Sequence, residues 1–387
     1  MKVPRTVWAL GAVSLLMDLS SELVHSLLPI FMVTVLGASM LAVGVVEGIA
    51  EATASIVKLF SGAISDRLGR RKPIVVLGYG LAALSKPLFP LAASVPLVLA
   101  ARFMDRIGKG IRGAPRDALI ADVTPEGARG AAYGLRQGLD TLGAVLGPLA
   151  AIGLMLLLAS DVRSVLWWAI LPAVLSVVVL VVFVKEPAGA ARPLERFSLG
   201  SFRQLGARTW VVVALGAVLT LARFSEAFLV LRAQELGLAL AMVPIVLVVM
   251  NIAYAAITYP AGLAADRGHR NSLLLWGLLA LVAADLVIAA TASVPFLFLG
   301  IALWGVHMGL TQGLLSTLVA DAAPARLRGT AFGVFHLASG VAMLLASVIA
   351  GALWDGYGAA WTFYAGAAFT TLALAGLLLV RTETAAK

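Results

Sequence analysis

The chain has no cysteine among its 387 residues, so disulfide frameworks and thiolate metal sites are excluded. Charge is scarce too. Asp, Glu, Lys and Arg make up 13% of the residues, about half the share found in a soluble domain. No glycine-rich phosphate loop ending in Lys and Ser or Thr is present, which removes that class of nucleotide hydrolase. No paired-histidine metal motif is present, which removes that class of protease. Neither an enzymatic activity nor a cofactor or metal is expected. Polar stretches are short, and the longest runs from 185 to 208, KEPAGAARPLERFSLGSFRQLGAR. Its twenty-four residues leave no room for the output domain that a receptor would need.

What fills the chain instead is apolar sequence. Hydrophobic residues make up 61% of it, in stretches of about twenty that recur from end to end, each able to cross a bilayer core of about 30 Å. Lipid cannot satisfy backbone polar groups, so these stretches must be helical. Breakers divide the chain into twelve spans, at 7–36, 40–64, 73–93, 96–121, 130–158, 163–184, 209–236, 240–263, 271–291, 295–320, 328–353 and 358–381. The expected architecture is an all-α membrane protein, with a six-helix bundle over 1–184, a linker over 185–208 and a second bundle over 209–387. Lys2 and Arg5 precede an apolar run, as in a signal peptide, but the run continues through Asp18 and Glu22 without a clear cleavage site. It is read as a retained first helix.

The net charge of +9 suggests nucleic acid only if topology is ignored. Counted with the first residue inside, the inner segments carry eighteen Lys or Arg and the outer loops one, Arg163. Such asymmetry places both termini in the cytoplasm. It accounts for the basic balance without a nucleic-acid partner.

The halves repeat. Gly62, Asp66 and Arg67 return as Gly262, Asp266 and Arg267, 200 residues later. Asp122, Pro125, Arg129, Gly130 and Gly134 return as Asp321, Pro324, Arg328, Gly329 and Gly333, offset by 199. Six-helix repeats of this kind are a transporter architecture, with solute bound near the midplane between halves.

GAISDRLGRRK, from Gly62 to Lys72, resembles the loop between helices 2 and 3 that marks the major facilitator superfamily, and Gly262 to Arg270 resembles its weaker second copy. RIGKGIRGA, from Arg106 to Ala114, is similar to the family's helix 4 motif, with Lys109 where many members carry an uncharged polar residue. GAVLGP, from Gly143 to Pro148, resembles the helix 5 motif of antiporters, shortened because Ala150 and Ala151 replace glycines. The resemblance covers the whole chain. It implies a secondary active transporter working by alternating access, akin to bacterial proton-coupled efflux members of the inner membrane. Proton-coupled export of a small amphipathic or anionic solute is the expectation, by a monomer. An anion uptake symporter or exchanger is the alternative, and a non-transporting receptor the contrasting class.

The resemblance makes Gly62, Asp66, Arg67, Arg70 and Arg71 a cytoplasmic charge latch, with Asp266 and Arg267 its second copy and Arg116 and Asp117 as partners. A merely topogenic basic loop would need neither Asp66 nor Gly62. Arg102, Arg106, Lys109, Arg112 and Arg116 are spaced 4, 3, 3 and 4, so they share one helical face. Charges in hydrocarbon cost a few kcal/mol each or more, so that face must line water, protein or solute. It is either an anion-attracting wall, with Arg106 and Lys109 deepest, or a set of internal pairs with Asp105.

Asp18, Glu22 and His25 share a face of helix 1, while Glu47, Glu51 and Lys58 share one of helix 2. A carboxylate held away from water can carry a proton, so Asp18, Glu22 and Glu51 are proton-coupling candidates; static pairing with the basic stripe is the alternative. The second half is poorer in charge. Arg223 and Glu226 on helix 7 and Trp304 on helix 10 are its candidate cavity residues, or simply pack between helices. Gly143, Gly147 and Pro148 allow tight packing and a bend. That reading suits either an antiporter helix or ordinary small-residue contact.

Overall fold

A computed structural model describes residues 3–68, 70–186, 205–324 and 327–385, apart from the side chains of 62, 63, 66, 67, 316, 320, 328, 329 and 376–385. The described residues are helical almost throughout. Fifteen α-helices follow in order: α1 Arg5–Ile30, α2 Met40–Leu68, α3 Lys72–Ser85, α4 Leu88–Leu91, α5 Val95–Val123, α6 Arg129–Leu157, α7 Val162–Trp167 and α8 Ile170–Phe183 in the first repeat. The second repeat holds α9 Ala207–Leu221, α10 Ala227–Glu235, α11 Ile245–Asp266, α12 Arg270–Ala290, α13 Val294–Ala322, α14 Arg328–Tyr357 and α15 Ala359–Ala385. Most of the linker expected over 185–208 lies outside the described residues.

These helices make twelve passes in two repeats of six. Nine stretches among the described residues are long and apolar enough to cross a membrane, and Ala207–Leu221 and Ala359–Ala375 are shorter apolar helices. The remaining pass is α5, which carries the basic stripe.

Three spans expected as single helices are broken. The third divides at Lys86–Pro87 and the sixth at Trp168–Ala169. In each, a proline (Pro87, Pro172) lacks the N–H that the helical ladder needs. The seventh divides over 222–226 without a proline, as Arg223, Phe224 and Ser225 leave the helix. Side chains take over the freed backbone groups there: Ser225 N–H donates to Ser347 Oγ at 3.2 Å, and Ala227 N–H to Ser225 Oγ at 3.3 Å.

The helices cluster into two compact units. The first comprises Met1–Ala38, Ile49–Phe197 and Leu240–Val248, and the second Ser39–Gly48, Ser198–Ala239 and Val249–Lys387. The exchange of segments is reciprocal, since the opening turns of α2 cluster with the second unit and those of α11 with the first.

In the first unit Val7, Leu10 and Met17 of α1 bury against Val75 and Tyr79 of α3, Leu119 of α5 and Leu180 of α8. Close backbone approach makes this possible. A methyl group at Gly108 would lie 2.6 Å from Gly78 O, so α3 and α5 touch along their backbones. In lipid, dispersion across such small-residue contacts does the work that water exclusion does in a soluble core. In the second unit Val213 of α9 packs with Val319 of α13 and Ala331 of α14, and Leu219 with Leu274, Leu278, Leu314 and Ala373.

Candidate functional site

Helix α5 carries the basic stripe through the first unit, and each cation meets a different neighbour. Arg102 bonds His25 Nδ1 at 2.7 Å. Arg106 Nη1 lies 3.3 Å from Glu51 Oε1 and its Nε 3.7 Å from Asp105 Oδ2. Arg112 Nη2 stands 3.9 Å from Asp18 Oδ1, with its guanidinium 4.6 Å from the centre of the Tyr79 ring. Arg116 donates to Ser14 Oγ at 3.0 Å and to Asp117 Oδ1 at 3.1 Å. Arg102, Arg106 and Arg112 are buried, at 4% exposure or less.

Lys109 differs. It is exposed, and it makes no hydrogen bond or ion pair with any described residue. Glu51 and Asp18 are opposite charges that act on it through space. A cation halfway along a membrane helix cannot face hydrocarbon cheaply, so Lys109 must face water or solute. Arg106, its expected companion, instead sits within the buried network.

Asp105 is held from outside α5. Its principal partner is Lys86, a cation absent from the sequence-based candidates: Nζ lies 2.8 Å from Asp105 Oδ1 and 3.0 Å from Ser21 Oγ. Lys86 is fully buried at the α3–α4 break. The available signal was a lysine followed by proline in the middle of an apolar span.

The acidic candidates lie along α1 and α2. Gly143 and Gly147 of α6 bring the chain directly against them. A methyl group at Gly143 would come within 2.6 Å of Leu15 O and 3.1 Å of Asp18 Cβ, and one at Gly147 within 2.8 Å of Glu22 Cβ. Buried Pro148 follows in the same turn. The helix 5 motif thus fixes the depth at which Asp18 and Glu22 sit. Glu22 forms no hydrogen bond or ion pair among the described residues, whereas Glu51 has Arg106. On the same helix as the glycines, Arg136 and Asp140 pair at 2.6 Å.

At the end bearing the basic loops, Gly62, Asp66 and Arg67 close α2, and their side chains lie outside the described residues. Arg70 is exposed. Arg71 bonds Asp122 at 2.5 Å, Ser65 Oγ at 3.1 Å and, through its backbone N–H, the Glu186 carboxylate. Among the described side chains Arg71 of the loop thus meets Asp122, while Arg116 and Asp117 bond each other. The second unit repeats the arrangement: Arg270 pairs with Asp321 at 2.5 Å. Arg71 and Arg270 are 199 positions apart, as are Asp122 and Asp321. The ion pair is thus a repeated element, while Asp266 and Arg267 stand exposed beside it.

In the second unit Arg223 and Glu226 fall within the break between α9 and α10. Discontinuous helices present backbone groups and side chains to bound solutes in transporters. Trp304 is closed off completely, its ring tilted against that of Phe224 with centroids 5.3 Å apart. His307 is buried, its Nδ1 2.8 Å from Gly277 O. On the opposite side of the fold from the basic loops, Asp355 of α14 receives the N–H groups of Met40 at 3.0 Å and Leu41 at 2.8 Å, capping α2 from 315 positions away.

The sequence model described as Major Facilitator Superfamily matches residues 10–231 and 224–387. An uncharacterised MFS-type transporter of Methanocaldococcus jannaschii is 33% identical over 359 residues, covering 91% of this chain and 89% of its own. The inner membrane transport protein YajR of Escherichia coli is 26% identical over 382 residues, covering 94% of this chain and 80% of its own. Among solved structures, the human organic anion transporter MFSD10 (TETRAN) superposes with a TM-score of 0.68 at 21% identity, covering 96% of this chain and 99% of that one.

Proposed function

Because the chain belongs to the major facilitator superfamily, we propose that it is a proton-coupled secondary active transporter exporting a small amphipathic or anionic solute. The moving bodies of its alternating-access cycle would be the six-helix halves 1–184 and 209–387, joined by the linker 185–208. Both termini would lie in the cytoplasm, in a bacterial inner membrane, with a monomer as the working unit.

The observation that carries the solute reading is Lys109. Every other member of the α5 stripe is engaged by a neighbour, and Lys109 alone among them presents at mid-helix an ammonium unpaired among the described residues. An anionic headgroup docking there would gain a charge-assisted hydrogen bond, worth about 1.5–3 kcal/mol. MFSD10, by its name an organic anion transporter, is in keeping with an anion.

Proton coupling is assigned to one of Asp18, Glu22 and Glu51, of which Asp18 and Glu51 act on Lys109 through space. Solute binding at Lys109 would compete with the carboxylates for its charge, and so favour their protonation. Export follows from the antiporter-like helix 5 motif, whose glycines pack on α1 beside Asp18 and Glu22.

The test is flux into proteoliposomes across a panel of organic anions and amphipathic drugs, with and without an imposed pH gradient. Gradient-driven flux is expected for an anionic member of the panel. It should vanish in the amide variant of one carboxylate while solute exchange persists. Full pH-driven accumulation in all three amide variants would remove these residues from the coupling step.

A further inference from the structure

Asp285 lies in the body of α12, fully buried at 0% exposure. Neither Oδ1 nor Oδ2 has a hydrogen-bond partner among the described residues. This sets it apart from the first unit, where Asp105, Asp18, Glu51 and Asp140 each stand beside Lys or Arg. The surroundings of Asp285 are apolar. A methyl group at Gly366 of α15 would fall 2.6 Å from Asp285 Oδ2 and 3.1 Å from Phe224 Cε1, so a glycine on the facing helix leaves the space the carboxyl occupies. On the other side, Gly300 of α13 lies close to Ala284 O and Ile288. Phe224 in turn packs at a tilt against Trp304 and edge-on against Phe363.

The charged and titratable groups on α13, on the described part of α15 and in the break between α9 and α10 are few. On α13 they are His307, bonded to Gly277 O, and Asp321, paired with Arg270 of α12 itself. The described part of α15 offers Tyr364, which is exposed. The break between α9 and α10 offers Arg223 and Glu226. None forms a hydrogen bond or ion pair with Asp285 among the described residues.

An isolated carboxylate ion transferred to such a site costs far more than the neutral acid. A neutral acid without a partner is still a poor core residue, because its unmade hydrogen bonds cost about 1–3 kcal/mol. A leucine would pack there at less cost. Ionisable groups inside membrane helices mark proton and ion pathways by default.

We infer that Asp285 is a proton-binding site of the second unit, loaded in the conformation described here and emptied when parting of α12 from α15 admits water to the carboxyl. It is separate from the cation-paired carboxylates of the first unit, and it needs no partner residue: closing the packing loads it and wetting it empties it.

Infrared spectroscopy of the full-length protein in lipid tests this without any solute. At about pH 7 ordinary carboxyl groups are ionised. The wild-type spectrum is expected to keep a protonated-carboxyl band that is missing from Asp285→Asn and displaced in Asp285→Glu. Asp285→Leu is expected to melt at or above the wild-type temperature. Identical carboxyl regions in wild type and both variants would overturn the inference. So would a marked fall in the melting temperature of Asp285→Leu, since that would mean the carboxylate holds the fold together through contacts of its own. Because no transported solute enters these measurements, they can fail while the flux reading stands, and the reverse.

Discussion

Lys86→Met removes the cation that holds Asp105. Both side chains are buried, with 1% and 3% of their surface exposed, and their charged atoms are 2.8 Å apart. After the substitution Asp105 retains Arg106 Nε at 3.7 Å and Ser85 Oγ at 3.5 Å, neither a full replacement. Breaking a buried pair from one side costs about 3–5 kcal/mol, because the remaining charge is left without compensation. At roughly 2 °C per kcal/mol for a body of this size, the melting temperature should fall by about 6 °C or more. Removing both charges is a different experiment. Apolar replacement of a whole buried pair is close to neutral or stabilising, so Lys86→Met with Asp105→Leu should recover most of the loss. Intrinsic tryptophan fluorescence during a thermal ramp in detergent reads both variants. If Lys86→Met melts with the wild type, the pair is not what sets α3 against α5. If the double variant is no better than the single, the loss comes from packing of the lysine stem and not from the orphaned carboxylate.

Lys109→Gln should weaken binding of the transported anion about tenfold, one lost charge-assisted bond, and leave the melting temperature unchanged; Arg106→Gln should lose stability first, because it abandons Glu51 and Asp105. Measuring both quantities on both proteins decides it, and equal affinity in Lys109→Gln and wild type would withdraw the anion site. Asp122→Asn should slow solute cycling more than Asp321→Asn, since Arg71–Asp122 is 11% and 19% exposed while Arg270–Asp321 is 38% and 49% exposed, and open pairs contribute little; equal rates in the two variants would contradict that ranking. Asp355→Ala should cost about 0.5–2 kcal/mol, the usual loss of an N-terminal cap, with faster hydrogen exchange at the Met40 and Leu41 amides; unchanged exchange there would mean that the carboxylate is not their acceptor.

The periodic part of the structure was legible in the sequence because it depends on neighbours along the chain. Apolar run length set the twelve passes, and proline and glycine set the gaps between them. The 199-residue offset of Asp122 and Asp321 marked a repeated feature, although its meaning, a repeated ion pair with Arg71 and Arg270, appeared only when the partners were brought together. Helical spacing put Arg102, Arg106, Lys109 and Arg112 on one face. It could not say that three of them are buried and one is open. The break over 222–226 carried no proline to announce it; it exists because Ser225 and Ser347 replace the missing helical hydrogen bonds from another part of the chain.

The sequence by itself determined that this is a helical membrane protein of two six-helix repeats, because hydrocarbon forces every apolar span into a helix. Which charges meet was decided by tertiary structure alone. Spacing along one helix fixes a face, but pairing across helices depends on rotation, depth and how closely glycines let the backbones approach. Only packing could give Asp105 to Lys86, leave Lys109 without a partner and seal Asp285 among rings and glycines.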